Sequence, residues 1–124
     1  MTTLVLGASP NPDRYSYHAV EALQRQHYEV VAMGIKKGKI GNVSIVLPFA
    51  KTPAIHTISL YLNPKRQEEY LDFIIQLRPQ RVIFNPGTEN LLLASKLSQR
   101  GIAWENACTL VLLSTNQYES KKSK

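Results

Sequence analysis

The sequence predicts an α/β fold of three layers, with a mostly parallel, open sheet covered by helices on both faces. Three observations carry this. Short unbroken apolar runs, residues 4–6 first among them, suit central strands buried on both sides. Stretches of helical periodicity alternate with those runs along the whole chain, the order that builds parallel sheets. Glycine or proline marks most junctions, and no repeat or linker splits the chain.

Residues 4–6 end at Gly7, and a polar loop leads to an amphipathic helix over about 16–26. Ala19, Val20 and Leu23 share its inward face, while Glu21, Gln24 and Arg25 point outward. A second strand, 29–33, follows a very short connection and breaks at Gly34, ahead of the basic run Lys36-Lys37-Gly38-Lys39. Between 40 and 53 the chain is interrupted by Gly41, Pro48 and Pro53, and 43–47 is its best strand.

Residues 56–62 read as another strand. Asn63-Pro64 then opens a helix to Arg78, with a capping side chain followed by proline at the first helical position. That helix buries Tyr70, Ile74 and Leu77, and Pro79 stops it. A strand at 81–84, the turn Asn85-Pro86-Gly87 and a helix over about 89–99 capped by Thr88 come next, with Gly101 in the C-cap position. Residues 102–104 form a last or penultimate strand, and 109–113 fit either an edge strand or a short helix. The polar residues from Asn116 onward are read as mobile, with the folded domain at 1–118 and 119–124 a disordered polar tail. The right-handed crossover rule turns this order into a Rossmann-like sheet, whose ligands collect beyond the carboxyl ends of the strands.

A chain of 124 residues suits one domain with a single core. No run approaches the ~18 apolar residues of a membrane helix, and Met1-Thr2-Thr3 lacks the basic start of a signal peptide, so a cytoplasmic protein is expected. The single cysteine, Cys108, excludes an internal disulfide and a cysteine-cluster metal site. Of the net charge of +6, Lys121, Lys122 and Lys124 against Glu119 account for two, and the remaining +4 is not concentrated on one helix. A nucleic-acid face is therefore disfavoured against a solvated surface with a local anion site.

Against the dinucleotide fingerprint G-x-G-x-x-G, the first loop supplies Gly7 but has Ser9 and Pro12 in place of the second and third glycines. A pyrophosphate seated tightly on backbone, as in ordinary NAD sites, is disfavoured. The loop offers instead the Ser9 hydroxyl, the Asn11 amide and the forked guanidinium of Arg14. These precede a helix N-terminus, whose free N–H groups and dipole suit phosphate. After the second strand, Met33-Gly34-Ile35-Lys36-Lys37 lacks the carboxylate that takes ribose hydroxyls in NAD sites. A basic residue there suits a phosphorylated ribose, as in coenzyme A or NADP, and the combination favours coenzyme A over NAD.

The run Gly7-Ala8-Ser9-Pro10-Asn11-Pro12-Asp13-Arg14-Tyr15-Ser16-Tyr17, with Tyr28-Glu29-Val30-Val31 and Asn85-Pro86-Gly87-Thr88-Glu89-Asn90, resembles the small stand-alone CoA-binding domain proteins. These are similar to the CoA-binding domain of succinyl-CoA synthetase and acyl-CoA synthetases. The resemblance, from Leu4 to about Tyr118, implies a Rossmann-type fold that holds CoA across the strand ends. By position, Ser9 and Arg14 meet phosphates, Met33 and Lys36 lie beside the adenosine, and Tyr61 with Asn63 flanks the crevice. Gly7, Ala8, Asn11, Tyr15, Ser16, Gly34, Leu62, Asn85, Pro86, Gly87, Glu89 and Cys108 stand on loops at the same strand ends and complete the expected cofactor-binding set. Two departures stand out: Ala32-Met33-Gly34-Ile35 replaces the Pro-Val-Asn-Pro of many members, and His27 replaces the glycine common before the second strand.

No catalytic constellation emerges. His18, His27 and His56 show no metal-ligand spacing, and Glu68, Glu69 and Asp72 sit on an exposed helix face. Glu89 could serve as a base or simply complement a helix dipole; Cys108 could border the thiol end of CoA or be a small buried side chain. The expectation is a binder of coenzyme A or an acyl-CoA, acting as carrier, sensor or regulatory module, with an NADP-dependent reductase as the alternative. Its expected partner is a small-molecule cofactor, with no nucleic acid, membrane or metal; a homo-oligomer is left open.

Overall fold

The computed structural model describes residues 1–119. Strands β1 (Thr2–Leu6), β2 (Glu29–Met33), β3 (Lys39–Ile40), β4 (Val43–Val46), β5 (Thr57–Leu60), β6 (Arg81–Phe84) and β7 (Ala103–Asn106) form one sheet in the order β3-β4-β2-β1-β5-β6-β7. All pairings are parallel except β3 with β4 at one edge. The chain builds outward from β1 on one side and then crosses to β5 on the other, so the switch in strand order lies between β1 and β5.

The helices are α1 (Tyr15–Arg25), α2 (Pro64–Gln67), α3 (Leu71–Leu77), α4 (Leu91–Gln99) and α5 (Thr109–Ser114). Alternate residues of β1 feed two cores: Leu4 and Leu6 meet Ile74 of α3 and Leu93 and Leu97 of α4, whereas Val5 meets Val20 and Leu23 of α1 and Leu113 of α5. This is the expected three-layer α/β arrangement. No helix among the described residues is long and apolar enough to cross a membrane.

Several boundaries differ from expectation for physical reasons. β1 begins at Thr2 because its buried hydroxyls are satisfied, Thr2 Oγ1 donating to Glu29 (2.9 Å) and Thr3 Oγ1 paired with Tyr118 Oη (2.6 Å). The expected single helix 64–78 is broken by a 3₁₀ turn at Glu68–Tyr70, and Leu77 is only half-buried. Helix α4 is capped by Asn90, whose side chain accepts from Leu92 N and Leu93 N, rather than by Thr88; Thr88 Oγ1 donates to Asn85 O instead (2.8 Å). Residues 109–114 are helical. Beyond them Tyr118 is buried in the core formed with α1 and α5, against the reading of the segment from Asn116 as mobile. Apart from Glu119, the expected tail lies outside the described residues.

Candidate functional site

A cleft of about 610 Å³ opens at the carboxyl ends of β2, β1, β5 and β6, over the switch in strand order. Glycines bring its walls together. Gly7 adopts φ +98°, and a Cβ there would stand 3.0 Å from the Tyr61 carbonyl carbon, so the loops after β1 and β5 close against each other only around a glycine. A Cβ on Gly34 would overlap the Ala8 carbonyl oxygen, and one on Gly38 would stand 2.6 Å from Pro10 Cβ. The loop after β2 thus lies directly on the loop after β1.

The amides of Gly7 and Ala8 both donate to Met33 O (2.9 Å each), so the turn spends them on β2 rather than on a ligand. Ser9 Oγ accepts from Asn11 N (3.1 Å) and Asn11 Oδ1 from Asp13 N (2.9 Å), which folds the loop on itself. Arg14 is the N-cap of α1 but makes no side-chain capping bond. Within the first turn of α1, Tyr17 N donates to Arg14 O (3.1 Å), and the amides of Tyr15 and Ser16 come before the first such bond.

Of the expected set, Gly7, Ala8, Ser9, Asn11, Arg14, Tyr15, Ser16, Gly34, Lys36, Tyr61, Leu62, Asn63, Pro86 and Gly87 line this cleft. Four do not. Met33 is wholly buried in the core because it ends a central strand with its side chain under the sheet's helices. Asn85 is buried below the cleft: its Nδ2 donates to Ser59 Oγ (3.0 Å) and Leu60 O (2.9 Å), and its Oδ1 accepts from Thr109 N (2.8 Å). Glu89 turns back to accept from Gly87 N (2.9 Å), bracing that loop. Cys108 is half-buried at the N-cap of α5, outside the lining.

The cleft also takes in Pro10, Ile35, Arg66, Tyr70 and Thr88, which were not assigned from sequence. Arg66 carried a signal: with Lys65 it forms a pair of cations directly after the Asn63-Pro64 helix start, with no acid in that first turn. Its base is rigid. Asn63 Oδ1 accepts from Arg66 N (2.9 Å), and the neighbouring Gln67, fully buried, donates from Nε2 to Leu62 O and Thr88 O (2.8 Å each) and accepts from Asn90 Nδ2 (2.8 Å). Gln67 therefore ties the loops after β5 and β6 together.

Among the described residues, Arg14, Lys36 and Arg66 line the cleft, and no Asp or Glu does. Tyr61 Oη is buried near Ser59 and Thr109, and burial pushes its pKa up to about 12, so the phenol stays neutral. Hydroxyls, amides and fixed cations are the equipment for holding a polyanion. Among the described residues no group of three metal-ligating side chains occurs.

The fold defines a Rossmann-like domain, with the cleft at the carboxyl ends of its strands. The chain matches the CoA binding domain family over residues 1–114 and belongs to that family. An uncharacterized protein of known crystal structure is 41% identical, with a TM-score of 0.86 over 94% of this chain and 96% of that one. A Thermus thermophilus protein (20% identity, TM-score 0.82, 94% and 89% covered) and a hypothetical protein from Pyrococcus horikoshii OT3 (22%, 0.80, 95% and 83%) share the fold. No curated protein matches the chain.

Proposed function

We propose that the chain binds coenzyme A or an acyl-CoA in this cleft, as a cytoplasmic carrier, sensor or regulatory module, alone or as a homo-oligomer. One observation carries the reading: among the described residues, a cleft at the switch in strand order, in a CoA-binding-family domain, is lined by three cations and no carboxylate. Arg14 and the start of α1 take the diphosphate. Lys36, one strand over on the loop after β2, takes the phosphate on the ribose. The pantetheine arm runs toward Leu62, Pro86 and Gly87. Bound coenzyme A supplies a thiol that carries acyl groups as thioesters.

Calorimetric titration tests this. Coenzyme A should bind about tenfold more tightly than 3′-dephospho-CoA, the scale of one charge-assisted contact, and Lys36→Ala should erase that difference. Equal binding of the two ligands by the unaltered protein would remove Lys36 from the site. Tighter binding of NADPH than of coenzyme A would turn the reading to an NADP-dependent reductase.

A further inference from the structure

Resting on that reading of the cleft, we propose that its β5–β6 end selects acyl groups ending in a carboxylate, which Arg66 receives beside Tyr70. The three cations are not clustered. Arg14 and Lys36 stand on the loops after β1 and β2, whereas Arg66 lies beyond β5, on the other side of Gly7 from Lys36. With the nucleotide phosphates at the first two, the third cation is left at the end where the thioester emerges.

Arg66 has no structural task that occupies its charge. It forms no ion pair among the described residues, although Glu68 and Glu69 follow it closely in the chain. Its backbone is held by the Asn63 cap and the buried Gln67, so the guanidinium is swung from a fixed point. Tyr70, also in the lining, is 3% exposed; burial and then the Glu69 charge push its pKa up, and the Arg66 charge opposes them. Between them and the phosphate loop the wall is Leu62, Asn63, Pro86, Gly87 and Thr88, and the exposed Gly87 puts no side chain in the way. A passage walled in part by Leu62 and Pro86 and ending in an arginine without an ion pair among the described residues fits an acyl chain with a terminal anion better than a plain alkyl chain.

The test compares acyl-CoA pairs of equal carbon number, malonyl with propionyl and glutaryl with pentanoyl, against free coenzyme A by calorimetry. In at least one pair the carboxylate-bearing ligand should bind about tenfold more tightly, an advantage that shrinks with added salt. Arg66→Gln should abolish it and Arg66→Lys should restore part of it, the advantage in each variant being read against that variant's own affinity for free coenzyme A. Equal affinities within both pairs, with coenzyme A still bound, would overturn this inference alone. Loss of the preference for coenzyme A over dephospho-CoA in Arg66→Gln would also overturn it, by placing the ribose phosphate at Arg66. Failure of coenzyme A itself to bind would instead overturn the reading of the cleft.

Discussion

Gly34 shows how one missing side chain shapes the cleft. Its φ lies outside the left-handed region, so an alanine would suit the backbone, yet the added Cβ would overlap the Ala8 carbonyl oxygen. Gly34→Ala should therefore cost ~1–3 kcal/mol through overpacking and weaken coenzyme A binding by pushing the loop after β1 off the loop after β2. Gly101→Ala is the control: it has open space but a φ of +72°, so it should lose ~1 kcal/mol to backbone strain and keep its ligand affinity. Equal losses of affinity in the two, read by calorimetry, would contradict the packing argument. The sequence marked Gly34 as a strand breaker and a member of the expected cofactor-binding set, but its packing role was not legible, because its neighbour across the fold is 26 residues away in the chain. A second residue-scale effect lies at the opposite strand ends. Burial and the nearby Arg81 charge hold the pKa of His56 below its usual 6.5. The unfolded chain then binds the proton more readily, so this residue's contribution to stability is complete above the unfolded pKa and is lost on acidification. Urea midpoints should fall less between about pH 7.5 and pH 5 in His56→Gln than in the unaltered protein.

At the scale of elements, helix ends explain both the legible and the illegible parts of the fold. Helix α1 closes with His27 at φ +66°, its N–H donating to Gln24 O (2.9 Å), while Tyr28 N donates to Leu23 O (3.0 Å). This is the Schellman geometry that Gly101 supplies after α4, with Gly101 N on Ser98 O and Ile102 N on Leu97 O. A histidine thus closes the turn as a glycine would, at a strain cost. His27→Gly should raise stability by ~0.5–1 kcal/mol, read as a higher urea midpoint with unchanged slope; a lower midpoint would show that the exposed imidazole contributes more than its backbone costs. The strands 29–33 and 81–84 and the Asn63 cap were legible because their signals are local: apolar runs and a capping residue before proline. The 3₁₀ break at Tyr70 was not, since that ring is drawn in by Phe49, stacked on it at 4.9 Å from a distant loop. Asn85 misled for a similar reason. Its turn sequence advertises a ligand loop, while its amide is consumed by Ser59, Leu60 and Thr109, residues that only the tertiary fold brings together.

Across the whole molecule, the two ends of the sheet divide the work. The carboxyl ends of the strands carry the cleft, and the amino ends are tied down by Tyr118, a residue whose polar surroundings in the chain gave no local sign of burial. Its hydroxyl meets Thr3 Oγ1, and its carbonyl accepts from Arg81 Nη1 (2.7 Å). The Arg81 guanidinium lies 4.6 Å over its ring, and Tyr28 packs edge-on at 5.0 Å. One side chain therefore links β1, β6 and the segment leading into β2. Tyr118→Ala should cost ~3–5 kcal/mol, the penalty for emptying a buried aromatic site, which is a large share of a domain's usual ~5–15 kcal/mol. Tyr118→Phe should cost only ~1–2 kcal/mol, because the ring stays and the buried Thr3 hydroxyl alone loses its partner. Because the cleft lies at the other end of the strands, both variants should bind coenzyme A with unchanged affinity at temperatures where they remain folded. Thermal melts with and without ligand separate the two effects: the variants' midpoints should start lower yet rise by comparable increments on saturation. A ligand-induced increment that vanished in Tyr118→Phe would mean that the anchor and the cleft are coupled through β1, and that the division of labour between the two ends is wrong.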